Sequence, residues 1–94
     1  MAVAASEARR VFYSGRVQGV GFRYTAHRIA HGYAVTGYVK NLRDGRVELF
    51  AEGASGELDR LLNEIAATMA GNIEDTEVRK ESAAGKYNSF AVTY

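Results

Sequence analysis

Gly15-Arg16-Val17-Gln18-Gly19-Val20-Gly21-Phe22-Arg23 closes one pattern of apolar residues and opens another. Before it, Val11 and Tyr13 alternate with Arg10, Phe12 and Ser14, as along a strand over 10–14. After it, Phe22, Ala26, Ile29, Ala30 and Tyr33 fall at i, i+4, i+7, i+8 and i+11, one stripe of a helix over 22–31. The stretch is therefore a strand-to-helix loop. It carries three glycines in seven positions, where the backbone bends sharply or approaches something closely. Loop amides that run into a helix N-terminus form a natural anion cradle. Arg23 adds a planar, permanently charged fork that matches phosphate oxygens. No Gly-Lys-Ser/Thr follows, and the glycine spacing is not that of a dinucleotide fingerprint. On spacing alone, a ligand-free turn with a solvent-exposed Arg23 stands beside the phosphate reading.

Outward from the loop, the chain continues into a hairpin, Val35–Asn41 and Val47–Gly53, joined through Arg43-Asp44-Gly45. A three-residue loop ending in a left-handed glycine is a common hairpin connection. It pairs Leu42 with Arg46, and sets Val39 opposite Leu49, Tyr38 opposite Phe50 and Lys40 opposite Glu48. Val35, Val39, Val47, Leu49 and Ala51 then face a core. Thr36, Tyr38, Lys40, Glu48, Phe50 and Glu52 face an open side. A second helix is expected over 55–70, with Ser55 as N-cap and Leu58, Leu61, Leu62, Ile65 and Met69 buried. Gly32 and Gly71 read as the helix stops. Residues 74–81 read as a polar edge strand, 83–88 as a loop and 89–94 as a last strand.

The order β-α-β-β-α-β predicts an α+β, ferredoxin-like split β-α-β sandwich: an antiparallel sheet of order 4-1-3-2 with two helices on one face. The first two strands then run in the same direction. Asn41, at the end of the second, arrives at the sheet edge that holds the loop 15–21. Alone, Asn41 reads first as a turn residue; the topology brings it toward Arg23.

Composition bounds the rest. The sequence has 94 residues, 12 basic against 11 acidic, no cysteine, and 47% apolar residues. That suits one modest core, over 9–94, after a loose leader at 1–8. The near-neutral charge argues against a nucleic-acid partner, and no apolar run is long enough for a membrane span. A cytoplasmic monomer without cysteine-based metal or disulfide chemistry is expected. His27 and His31 stand at the i, i+4 spacing of a zinc pair, yet no third ligand accompanies them, so helix-surface histidines are expected. Tyr38 and Phe50 could stack bases, but the motif of an RNA-recognition sheet is missing from the third strand, and a stabilising cross-strand pair is the better reading.

GRVQGVGFR at 15–23 and GYVKNLRDGRVE at 37–48 resemble the two signature segments of the acylphosphatase family, and the likeness extends from Arg10 to Tyr94. It implies a ferredoxin-like fold and metal- and cofactor-free hydrolysis of the carboxyl-phosphate bond of small acyl phosphates, to carboxylate and inorganic phosphate. By this resemblance Arg23 is the substrate-binding arginine and Asn41 orients the attacking water. The backbone of Arg16, Val17, Gln18, Gly19, Val20 and Gly21 is the phosphate cradle. Tyr38 stands where many members carry Trp, and the proline often found after the second helix is absent, which bears on the path of 70–75. The alternatives are a non-catalytic anion- or RNA-binding module, or an accessory unit such as the acylphosphatase-like parts of larger maturation enzymes. A chain that retains both Arg23 and Asn41 favours the enzyme.

Overall fold

A computed structural model describes residues 6–94. Its elements are β1 (Glu7–Gly15), α1 (Phe22–Ala30), β2 (Val35–Asn41), β3 (Val47–Gly53), α2 (Ser55–Thr68), β4 (Ile73–Ser82) and β5 (Phe90–Thr93). The strands form one sheet of order β4-β1-β3-β2-β5. The α+β, ferredoxin-like class and the 4-1-3-2 order of the first four strands match expectation. The sheet itself is a correction: it has five strands and is mixed, because β5 adds outside β2 in parallel. The ten-residue, polar β4 occupies the place beside β1. The short β5 takes the far edge, where Phe90 joins the core and Val92 packs against it.

β1 and β2 are both antiparallel to β3, so β1, β2 and β5 all end at one edge. That edge collects the loop after β1, Asn41 at the end of β2, and Thr93 at the end of β5. The hairpin register is as expected, with Tyr38 opposite Phe50, Val39 opposite Leu49 and Lys40 opposite Glu48. Leu42 N–H donates to Arg46 O at 2.8 Å, and Gly45 has a φ of 96°.

The core lies between the sheet and the helices. Phe22, Ala26 and Ile29 of α1 and Leu58, Leu61 and Ile65 of α2 meet Val11, Tyr13, Val39, Val47, Leu49 and Ala51 of the strands. Each helix contributes one apolar stripe, which is what holds a helix on a sheet face. The segment after α2 needs no proline. Asn72 N–H and Ile73 N–H both donate to Met69 O, turning the chain so that Ile73 pairs with Gly15.

The other sheet face is not open, contrary to expectation. Residues 83–89 cross it from β4 to β5. Ala84 N–H and Gly85 N–H donate to the Glu52 carboxylate at 2.6 and 3.1 Å. Glu48, Phe50 and Glu52 are buried. Arg10 bridges Glu48 and Glu81, which raises the Arg10 pKa and lowers that of Glu81. Buried charge is tolerated because each group is paired. Tyr38 stacks on Phe50 with ring centroids 5.8 Å apart, Tyr87 packs on both, and Arg10 Cζ lies 4.6 Å from the Phe50 ring centroid. The aromatic pair is structural, as expected.

Four boundaries shift. β1 begins at Glu7, and Ala8 is fully buried, so the expected leader 1–8 is two residues too long. Its residues 1–5 lie outside the described residues. Ser55 is the first residue of α2 rather than its cap; Ala54 caps, without a side-chain hydrogen bond. Neither helix ends on a left-handed glycine: α1 is capped by His31 and α2 by Met69.

Candidate active site

The loop between β1 and α1 is pinned at three points. Arg16 N–H donates to Asn72 O at 2.9 Å. The Val17 side chain is 1% exposed and belongs to the core. Gln18 Nε2 donates to Leu42 O at 2.7 Å and to Arg46 O at 2.9 Å. This last contact ties the loop to the hairpin that carries Asn41. Gly19 and Gly21 have φ of 73° and 77°, left-handed values that strain any residue with a Cβ by about 1–2 kcal/mol. Gly21 is also the N-cap of α1.

Thr25 N–H donates to Gly21 O at 3.0 Å, the first bond of α1. Among the described residues, no group accepts a hydrogen bond from the amides of Val17 through Tyr24. That leaves a run of unspent donors at a helix N-terminus, where the helix dipole favours an anion. The Arg16 amide is not among them, because Asn72 takes it. This is a departure from the expected cradle of Arg16 to Gly21.

Arg23 sits in the first turn of α1 and is held from β5. One Nη donates to Thr93 O at 3.1 Å, and the guanidinium lies 4.7 Å from the Tyr94 ring centroid. The carbonyl and the ring aim the fork while leaving its charge uncompensated by any carboxylate in an ion pair among the described residues. Asn41, from the end of β2, reaches the same place. A cavity of about 160 Å³ is lined by Val17, Gly19, Gly21, Phe22, Arg23, Tyr24 and Asn41. Asn41 Oδ1 is the one buried side-chain polar atom among the described residues that has no hydrogen-bond partner. Such an orphan costs about 1–3 kcal/mol, so its retention points to a use.

Of the residues expected at the site, Val17, Gly19, Gly21, Arg23 and Asn41 thus share one cavity. Arg16, Gln18 and Val20 do not line it. Gln18 instead holds the frame, a role its sequence position does not reveal. Replacing it with leucine keeps the bulk and removes both hydrogen bonds. Turnover of the variant should fall about thirtyfold, in line with the loss of roughly 1 kcal/mol for each of the two bonds from the site's positioning, while its circular dichroism spectrum is unchanged. Unaltered turnover would remove Gln18 from the positioning frame.

His27 and His31 lie with ring centroids 4.3 Å apart, and among the described residues no cluster of three metal-ligating side chains forms. A larger, shallower groove of about 600 Å³ runs along β2 and β5 past Tyr38, Lys40, Tyr87 and Tyr94. It contains neither Arg23 nor Asn41 and none of the free amides.

This fold, with a cavity at the shared end of β1 and β2, is that of a known class. The acylphosphatase family model matches residues 9–92. The chain is 41% identical over 88 residues to an acylphosphatase of Archaeoglobus fulgidus, covering 93% of this chain and 98% of that one. It is 42% identical over 95 residues to an acylphosphatase of Solibacter usitatus, covering 97% and 95%. The crystal structure of acylphosphatase from Bacillus subtilis superposes with a TM-score of 0.83 at 31% identity, over 94% of this chain and 99% of that one. The chain belongs to the acylphosphatase family.

Proposed function

We propose that the protein hydrolyses small acyl phosphates to carboxylate and inorganic phosphate. Arg23 and the free amides from Val17 to Tyr24 hold the phosphoryl oxygens, and Asn41 Oδ1 accepts a proton-bearing bond from the attacking water. The observation that carries this is the meeting, in one cavity, of an unpartnered carbonyl oxygen with a cation and unspent amide donors. A fully ionised anion alone has no use for that carbonyl, since both only accept hydrogen bonds; a water that donates to it does.

The chemistry needs little more. In an acyl phosphate the phosphorus–oxygen bond to the acyl group breaks, and the bonding pair leaves with a carboxylate. A carboxylate departs without a general acid. The new bond forms between water oxygen and phosphorus, and the water's proton passes to a phosphoryl oxygen of the substrate. The protein supplies position and charge stabilisation, the main demands of phosphoryl transfer. Arg23 and the amides meet charge spread over the phosphoryl oxygens, and Asn41 keeps the water in line. No step calls on a metal or cofactor. We place the enzyme in the cytoplasm as a monomer; a sequence without cysteine fits a reducing compartment.

The test is hydrolysis of benzoyl phosphate, followed by loss of ultraviolet absorbance, with and without a strong chelator. The expected result is turnover at the same rate in both. A rate that collapses with chelator would remove the metal-free mechanism. No turnover by folded protein would leave an anion-binding module.

A further inference from the structure

The cavity opens between exposed side chains that the core does not use. Among the described residues the exposed large apolar side chains are Val20, Tyr24, Val78, Tyr87 and Tyr94. Two of these five, Tyr24 and Tyr94, stand beside the cavity. Tyr24 forms part of its wall and is 58% exposed. The Tyr94 hydroxyl lies 2.5 Å from that of Tyr24, and the Tyr94 ring covers Arg23. Val20 lies between the two left-handed glycines of the loop. Tyr24 is off the buried stripe of α1, which runs through Phe22, Ala26, Ile29 and Ala30. Its ring is therefore not held out by a packing need. Exposed apolar groups that gather at one opening, rather than scatter, mark a contact surface.

A substrate held phosphoryl-first by Arg23 and the loop amides must send its acyl group outward past this rim. We infer that the rings of Tyr24 and Tyr94 receive the acyl group, with Tyr24 as the chief specificity-determining residue. The preferred substrates are then acyl phosphates with aromatic or bulky apolar acyl groups, over acetyl or carbamoyl phosphate. Neither tyrosine ring carries a charge to recognise a polar acyl group. Burial of a phenyl in place of a methyl against two rings favours the larger substrate. This inference rests on the activity proposed above.

The experiment compares kcat/KM for benzoyl phosphate and acetyl phosphate in the wild type, Tyr24→Ala and Tyr24→Phe. The ratio of the two substrates within one variant cancels changes in folded fraction or in the setting of Arg23. The wild type should favour benzoyl phosphate about tenfold or more, on the scale of a few buried methylene groups. Tyr24→Ala should reduce that ratio about tenfold. Tyr24→Phe, which keeps the ring and loses the hydroxyl pair with Tyr94, should preserve it. If Tyr24 merely clips Tyr94 to α1, Tyr24→Ala lowers both substrates alike and Tyr24→Phe resembles it. That pattern, or a wild-type ratio near one, overturns the inference while leaving the activity intact. Hydrolysis of neither substrate by the wild type overturns the activity and the inference with it.

Discussion

Arg23→Ala is expected to lower kcat/KM for benzoyl phosphate by about a thousandfold, the lower end of the range for an arginine that stabilises a transferring phosphoryl group. Inorganic phosphate should cease to inhibit the variant in the same experiment, because the cation is lost to ground state and transition state alike. The fold should survive. Among the described residues Arg23 makes one hydrogen bond, to Thr93 O, and one ring contact, with Tyr94; losing the bond costs about 1 kcal/mol. Arg23→Lys should recover little. A lysine carries the charge but not the fork, and it cannot bond Thr93 O and span two phosphoryl oxygens together. The discriminating measurement is phosphate inhibition: wild-type affinity in Arg23→Ala would put the anion somewhere other than this cavity.

Asn41→Ala should separate binding from turnover. The amides and Arg23 are untouched, so phosphate inhibition should remain near that of the wild type. Turnover should fall about a hundredfold, the scale for one positioned polar group. Stability carries a second signature. Asn41 Oδ1 is buried without a partner, so its removal relieves a desolvation cost of about 1–3 kcal/mol at the expense of some packing. The thermal midpoint should be unchanged or raised. A stabilised, inactive variant is the behaviour of a residue kept for chemistry. Full turnover in Asn41→Ala would end the water-orienting role, and a collapse in stability would make Asn41 a structural residue.

Much of this arrangement is legible in the sequence because it follows from local rules. Arg43-Asp44-Gly45 sets the hairpin, and one loop length then fixes every pair from Val39–Leu49 to Lys40–Glu48. The stripe beginning at Phe22 places α1. Element order then makes β1 and β2 parallel, which is enough to send Asn41 toward the loop. What was not legible depends on contacts distant in the chain. Nothing near Arg16 announces that its amide is taken by Asn72. Glu48 and Glu52 alternate as solvent-facing residues do, and only the crossing of 83–89 and the reach of Arg10 bury them. The place of β5 depended on which edge β4 had already filled. Gln18 left one faint signal, a long amide side chain among small and apolar loop residues, with no local hint of its partners. Ser55 misleads because its residue type suits a cap, whereas Ala54 takes the cap position and Ser55 is already the first helical residue.

The hold of β5 on Arg23 has a consequence for synthesis. A domain folds as a unit once its parts have emerged, and the loop and α1 leave the ribosome long before Phe90–Thr93. Until that strand docks beside β2, the guanidinium has no Thr93 carbonyl to aim it. β1 likewise waits for β4 to complete its pairing. The nascent chain therefore carries every catalytic part before it carries a catalyst, and the onset of hydrolysis reports the docking of the final strand.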